Sequence, residues 1–165
     1  MNSTLLADNS EASLKKFLNT LSAVDEVGAK ARVEMLGTRS IKTSSKNWAI
    51  DLAIRMVDLT TLEGADTPGK VRALCAKGVY PNPTDLTVPS VGAICVYNDM
   101  VKIARQALDA GGGKNIPVAA VSTAFPSGRA SIEVKIQDTR DAIANGATEI
   151  DMVIDRGAFL AGKLG

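Results

Sequence analysis

Asp151 sits in the run Thr148-Glu149-Ile150-Asp151-Met152-Val153-Ile154-Asp155, whose residues alternate in character. Strand side chains point to opposite faces in turn. Ile150, Met152 and Ile154 therefore share one face, and Glu149, Asp151, Val153 and Asp155 the other. An inner strand of a parallel sheet is ordinarily apolar on both faces. Carboxylates on one face are tolerated when that face lines a polar chamber. With Ile150, Met152 and Val153 around it, Asp151 is expected to be buried. Burial fits a carboxylate for proton transfer near neutral pH by disfavouring its charged form. A buried salt bridge to a lysine of a neighbouring strand is the structural alternative.

Two other positions have chemical potential. Asp58 lies near the end of a strand in Val57-Asp58-Leu59-Thr60-Thr61-Leu62, with Thr60 on its face. Strand ends form the active-site rim of an α/β barrel, although an aspartate there also suits a turn cap. Cys95 lies in Gly92-Ala93-Ile94-Cys95-Val96-Tyr97, where Ala93, Cys95 and Tyr97 share one face and Ile94 and Val96 the other. A thiol so placed reads first as a small core residue that also touches the chamber. Histidine is absent, which removes His-based triads, imidazole catalysis and most zinc sites. Chemistry must then fall to carboxylates, lysine, thiol or hydroxyl.

These residues need elements to hold them. Residues 1–9 are mostly polar and expected to be loose. Ser10 caps a helix with Leu14, Phe17, Leu18 and Leu21 at helical spacing. A second helix is predicted over Lys46 to Ile54, with Trp48, Ala49 and Leu52 inward, after a loop from Gly37 to Ser45. A regular alternation follows. Met56 to Thr60 is a strand. Thr67-Pro68 opens a helix with the stripe Val71, Leu74 and Cys75, ended by Gly78. A loop with three prolines spans Tyr80 to Ser90. Gly92 to Tyr97 is a strand, and Asp99 starts a helix closed by Gly111-Gly112-Gly113. Pro117 to Thr123 is a strand. Ser131 caps a helix with Ile132, Ile136 and Ile143 as its apolar stripe and Glu133, Lys135, Asp138 and Arg140 on a solvated face. Thr148 to Ile154 is the fourth strand. None of the four strands contains a lysine.

Such strand–helix alternation implies parallel strands joined by right-handed crossovers. No glycine-rich dinucleotide fingerprint follows any strand. A (β/α)8 barrel fits, and a full one needs eight strands and about 250 residues. The 165 residues are expected to supply the first half, with residues 1–45 as a helical extension and loop and 46–165 as the first four strands of the barrel.

Composition narrows the function classes. Apolar residues make up 45% and charged residues 22%, and the net charge is +1. Without a basic stripe, nucleic acid and membrane surfaces are not expected partners. Two cysteines suit a reducing cytosol. No signal segment or apolar span is visible, so a cytoplasmic location is expected.

With these residues in place, the chain resembles deoxyribose-phosphate aldolase, a class I aldolase of the (β/α)8 type. The resemblance rests on Val57-Asp58-Leu59-Thr60-Thr61-Leu62, Ala93-Ile94-Cys95-Val96-Tyr97, Pro117-Val118-Ala119-Ala120-Val121 through Phe125-Pro126-Ser127-Gly128, and Gly146-Ala147-Thr148-Glu149-Ile150-Asp151-Met152-Val153. It covers roughly Trp48 to Gly165, with the four motifs in family order. It implies reversible cleavage of 2-deoxy-D-ribose 5-phosphate to glyceraldehyde 3-phosphate and acetaldehyde through a lysine Schiff base, without cofactor or metal. By the same resemblance Asp151 moves protons, Asp58 is a second active-site aspartate, and Cys95, Thr60 and Phe125 line the substrate pocket. The family's Schiff-base lysine, its companion lysine and its phosphate loops belong to later strands, and Lys163 matches neither lysine. The chain alone is therefore expected to be inactive, and to associate with a C-terminal half-barrel or with copies of itself through unpaired strand edges. Another phosphosugar barrel enzyme and a non-catalytic half-barrel scaffold are the alternatives.

Overall fold

The computed structural model describes residues 10–163; the expectation for residues 1–9 lies outside them. The chain divides into two compact units, with boundaries after Lys42 and after Arg156. The first unit contains α1 (Glu11–Leu18), α2 (Glu26–Gly37) and most of α7 (Arg156–Leu160). Ser10 caps α1 as expected, its hydroxyl accepting from Ser13 N at 3.2 Å. In α2, which no sequence reading assigned, Asp25 accepts from Gly28 N at 2.8 Å. Short polar side chains favour this N-cap role because they satisfy N–H groups the helix leaves free.

The second unit holds α3 (Thr43–Arg55), β1 (Asp58–Thr60), α4 (Pro68–Val79), β2 (Ala93–Tyr97), α5 (Asn98–Ala110), β3 (Val118–Ser122), α6 (Ile132–Ala144) and β4 (Glu149–Met152). The strands form one parallel sheet in the order β1-β2-β3-β4. Three β/α steps in sequential order are the pattern of a barrel wall, and the sheet is not closed into a barrel.

Each strand of the inner pair has two apolar faces. Ile94 and Val96 of β2 and Val118 and Ala120 of β3 pack with Val71 and Cys75 of α4 and Val101, Ala104 and Leu108 of α5. On the opposite face Cys95, Ala119 and Val121 form a smaller cluster with Leu62, Tyr97 and Phe125. Branched residues toward the helices and small ones toward the other face are what the alternation of β2 predicts.

Local signals explain the helices. Thr67 Oγ1 accepts from Lys70 N at 3.2 Å and Pro68 takes the first position of α4. Gly78 does not end α4 but lies within it, against β2. A Cβ on Gly78 would stand 2.7 Å from Ile94 Cδ1 and 3.1 Å from Val91 Cγ2, so the glycine permits close helix–sheet approach. The glycine turn after α5 is held by Arg105, which donates to the carbonyls of Gly113, Lys114 and Ile116 at 3.3, 3.2 and 2.9 Å.

Three further expectations are corrected. The segment from Gly37 to Ser45 is not all loop, because α2 ends at Gly37 and α3 begins at Thr43. Trp48 is 66% exposed and Leu52 is also exposed, while Ile54 of α3 packs on the core. Helical spacing marks a stripe but not whether a neighbour covers it. In α6 the isoleucines are outward, with Ile132 63% exposed. Ala142 is buried instead, and Lys135, Asp138 and Thr139 are half-buried. The side of α6 that lies on the sheet is the small and polar one, because Thr139 Oγ1 meets Ser122 Oγ at 3.1 Å and Asp138 meets Asn98.

Candidate active site

The sheet register assembles the sequence-chosen residues. Asp58 pairs with Ala93 and Thr60 with Cys95 across β1 and β2. Cys95 then pairs with Ala119, and Tyr97 with Val121. Ala119 pairs with Glu149, and Val121 with Asp151. Strand alternation therefore puts Asp58, Thr60, Cys95, Tyr97, Glu149 and Asp151 on one face, opposite the helix-packed core. Phe125, in the loop after β3, completes the group by packing on the Cys95, Ala119 and Val121 cluster. Its ring meets that of Tyr97 edge-on, with centroids 6.1 Å apart and planes at 64°.

Burial across this face is graded. Cys95 is only 3% exposed. Asp58 and Thr60 on β1, and Glu149 and Asp151 on β4, are exposed. This corrects the expectation that Asp151 is buried. Its strand is an edge of the open sheet, and among the described residues no further strand pairs beyond it to shield the carboxylate. The lysine salt bridge offered as the alternative is not among the ion pairs of the described residues.

Electrostatics link the face into one environment. Burial pushes the Cys95 thiol above its usual range, the Thr60 hydroxyl beside it pulls it back, and the carboxylates of Asp151 and Asp58 push it up further. The thiol is thus held protonated and is a wall residue, not a ready nucleophile. At the end of β1, Thr60 Oγ1 donates to Asp58 O at 2.7 Å. Thr61 is buried and donates to Asp66 Oδ1 at 2.9 Å, while its backbone N–H reaches Cys95 O at 3.1 Å. Lys70 pairs with Asp66 at 2.6 Å, and that hydrogen bond chiefly holds the Asp66 carboxyl below its usual range. The charge pair anchors the turn that follows β1.

Sequence reading overlooked the supports of the β3 loop. Thr123 Oγ1 lies 2.8 Å from both Val153 N and Val153 O, tying the loop to the segment after β4. Asp138, assigned to a solvated face, accepts from Asn98 and from Ala124 N. The available signal was Asn98 directly after a strand, a position that looks across to the next crossover helix. Among the described residues no cluster of three or more His, Cys, Asp or Glu side chains is arranged to hold a metal ion.

Comparison with known proteins gives this geometry its context. No protein-family model matches the chain. Human deoxyribose-phosphate aldolase is 38% identical over 143 residues, covering 80% of this chain and 44% of the relative. The mouse enzyme is 39% identical over 133 residues, covering 76% and 42%. The chain is a homologue of the deoxyribose-phosphate aldolases. It spans less than half the length of the curated relatives it matches. A crystal structure of a candidate deoxyribose-phosphate aldolase from Coccidioides immitis aligns with a TM-score of 0.58 at 26% identity, covering 69% of this chain and 40% of that one. A candidate deoxyribose-phosphate aldolase from Toxoplasma gondii shares the fold, with a TM-score of 0.59 at 21% identity, covering 73% and 46%. The four-stranded parallel sheet of this homologue therefore shares its fold with part of these two structures. Among its described residues no helix is long and apolar enough to cross a membrane.

Proposed function

We propose that the chain supplies the first four β/α units of a deoxyribose-phosphate aldolase barrel, in the cytoplasm, with residues 46–165 as the half-barrel and 1–45 as an extension. The substrate is 2-deoxy-D-ribose 5-phosphate. The observation that carries this reading is the convergence of Asp58, Thr60, Cys95 and Asp151 on one sheet face with Phe125 beside it.

Retro-aldol cleavage has two requirements. An electron sink must take the pair of the breaking C–C bond, and a base must take the proton of the hydroxyl next to it. A lysine iminium supplies the first. A carboxylate within reach of the substrate, directly or through water, supplies the second. Asp151 is assigned the proton transfer, and Asp58 supports it from the far side of the face. Thr60, Cys95 and Phe125 wall the cavity. The four strands carry no lysine, so the Schiff-base amine comes from the other half of the barrel. Its strands would pair with the free edges of β1 and β4 and exclude water from around Asp151. The exposed Trp48, Ile132, Ile136 and Met152 are apolar surface that such closure covers.

The test is complementation. The chain alone, treated with acetaldehyde and borohydride, forms no lysine adduct and releases no acetaldehyde from the substrate. Mixed with the C-terminal half of a curated relative, it gains retro-aldol turnover. A stoichiometric lysine adduct on the isolated chain overturns the proposed inactivity. A folded, completed barrel that does not cleave 2-deoxy-D-ribose 5-phosphate overturns the proposed substrate. Turnover of a different phosphosugar would move the protein to another barrel enzyme, and binding without turnover of any phosphosugar would make it a scaffold.

A further inference from the structure

We infer that Asp138 and Asn98 form a clamp that positions the Tyr97–Phe125 ring pair and thereby controls access to the Cys95 side of the sheet. The rings are sequence neighbours of the clamp's own contacts. Asn98, next after Tyr97, donates through Nδ2 to Asp138 O at 3.0 Å and to Asp138 Oδ1 at 3.1 Å. Ala124, just before Phe125, donates its backbone N–H to Asp138 Oδ2 at 3.4 Å. One carboxylate thus holds the residue adjoining each ring, one oxygen to each. Asn98 is fixed from its other end, where its Oδ1 accepts from Asn145 Nδ2 at 3.0 Å.

The loop needs such an anchor. Thr123 and Ala124 both have φ of 63°, a left-handed conformation that residues with a Cβ seldom adopt. Two consecutive residues of this kind persist only where surrounding contacts over-determine them. Thr123 has its contacts with Val153, and Ala124 has the Asp138 carboxylate. Releasing that carboxylate lets the backbone before Phe125 relax, and the ring leaves the Cys95, Ala119 and Val121 cluster. Asp138 and Asn98 are then positioning residues, set behind the sheet, for the wall of the cavity under "Proposed function". The inference rests on that reading only for what the cavity binds.

Thiol labelling tests it on the chain as it stands. Cys95 belongs to the buried cluster on which both rings pack, and Cys75 lies in the separate core of α4 and α5, so each cysteine controls for the other. With a maleimide probe and peptide mass analysis, Asp138→Ala is expected to raise Cys95 labelling at least tenfold while leaving Cys75 unchanged. Asn98→Ala should act in the same direction, which guards against misfolding of one variant. Phe125→Ala should raise Cys95 labelling too, and adding Asp138→Ala to it should change little further. The clamp is overturned if Cys95 stays protected in both clamp variants, if both thiols become reactive together, or if the two effects simply multiply. The labelling ratio reads the geometry of this chain, whereas turnover in a completed barrel reads the aldolase proposal, so each can fail without the other.

Discussion

Asp151 pairs with Val121 across the β3–β4 ladder, and that register puts its carboxylate on the same sheet face as the buried thiol of Cys95. The two are two strands apart and offset by two residues along the ladder, roughly 12 Å between backbones by strand spacing and rise, and the carboxylate raises the thiol pKa. Asp58 acts on the same thiol from the opposite edge. The face therefore has a shared electrostatic environment even in an open sheet.

Neutralising either carboxylate should make Cys95 easier to ionise. Both anions oppose the thiolate, so Asp58→Asn and Asp151→Asn should each lower the thiol pKa. At constant pH each should speed alkylation by a few-fold, on the scale of an exposed charge pair (about 0.5 kcal/mol). Iodoacetamide kinetics in a Cys75→Ala background would measure this. Rates that match the parent at every pH would separate Cys95 from the two aspartates.

In a barrel completed by a relative's C-terminal half, Asp151→Asn should cut kcat by about 10²–10⁴-fold, the usual contribution of a positioned acid–base group. Schiff-base trapping in that complex should persist, because the amine stands elsewhere. A variant that retains full turnover would remove Asp151 from proton transfer.

Gly128 should tolerate no side chain. Its φ is +70°, and a Cβ there would stand 2.1 Å from Ile154 O. That contact is with backbone, which has little room to yield. Gly128→Ala should lower unfolding stability by about 3 kcal/mol. Urea denaturation would show it, and an unchanged midpoint would mean the loop packs differently against the segment after β4.

Alkaline pH should weaken the fold through Cys75. This thiol, 1% exposed, is pushed by burial from 9.0 up to about 11, against a smaller opposing pull from Arg105. The native state thus keeps a proton that the unfolded chain gives up. Its contribution is intact below pH 9 and is lost as pH rises toward 11, amounting to about 2–3 kcal/mol. Cys75→Ala should start less stable, because a buried sulfur is removed, yet show a flatter decline over that interval. Parallel pH profiles for the two proteins would contradict the shift.

The sequence by itself determined the order of strand, helix and turn in the β/α region, the two faces of each strand, and the caps at Ser10, Thr67 and Ser131. These depend on neighbours within a few residues, where backbone geometry dictates which side chains lie together. Alternation grouped Asp58 with Thr60 and Cys95 with Ala93 and Tyr97 within their strands, and the sheet register then brought these groups and Asp151 onto one face. Only the tertiary structure decided what covers those faces. Asp151 is exposed because β4 ends an open sheet. The isoleucines of α6 are outward because Asp138 and Thr139 have partners on the sheet side, in Asn98 and Ser122. Gly78 serves close packing because Ile94 lies across from it. Burial is a property of what stands opposite a residue, and that partner is usually far away along the chain.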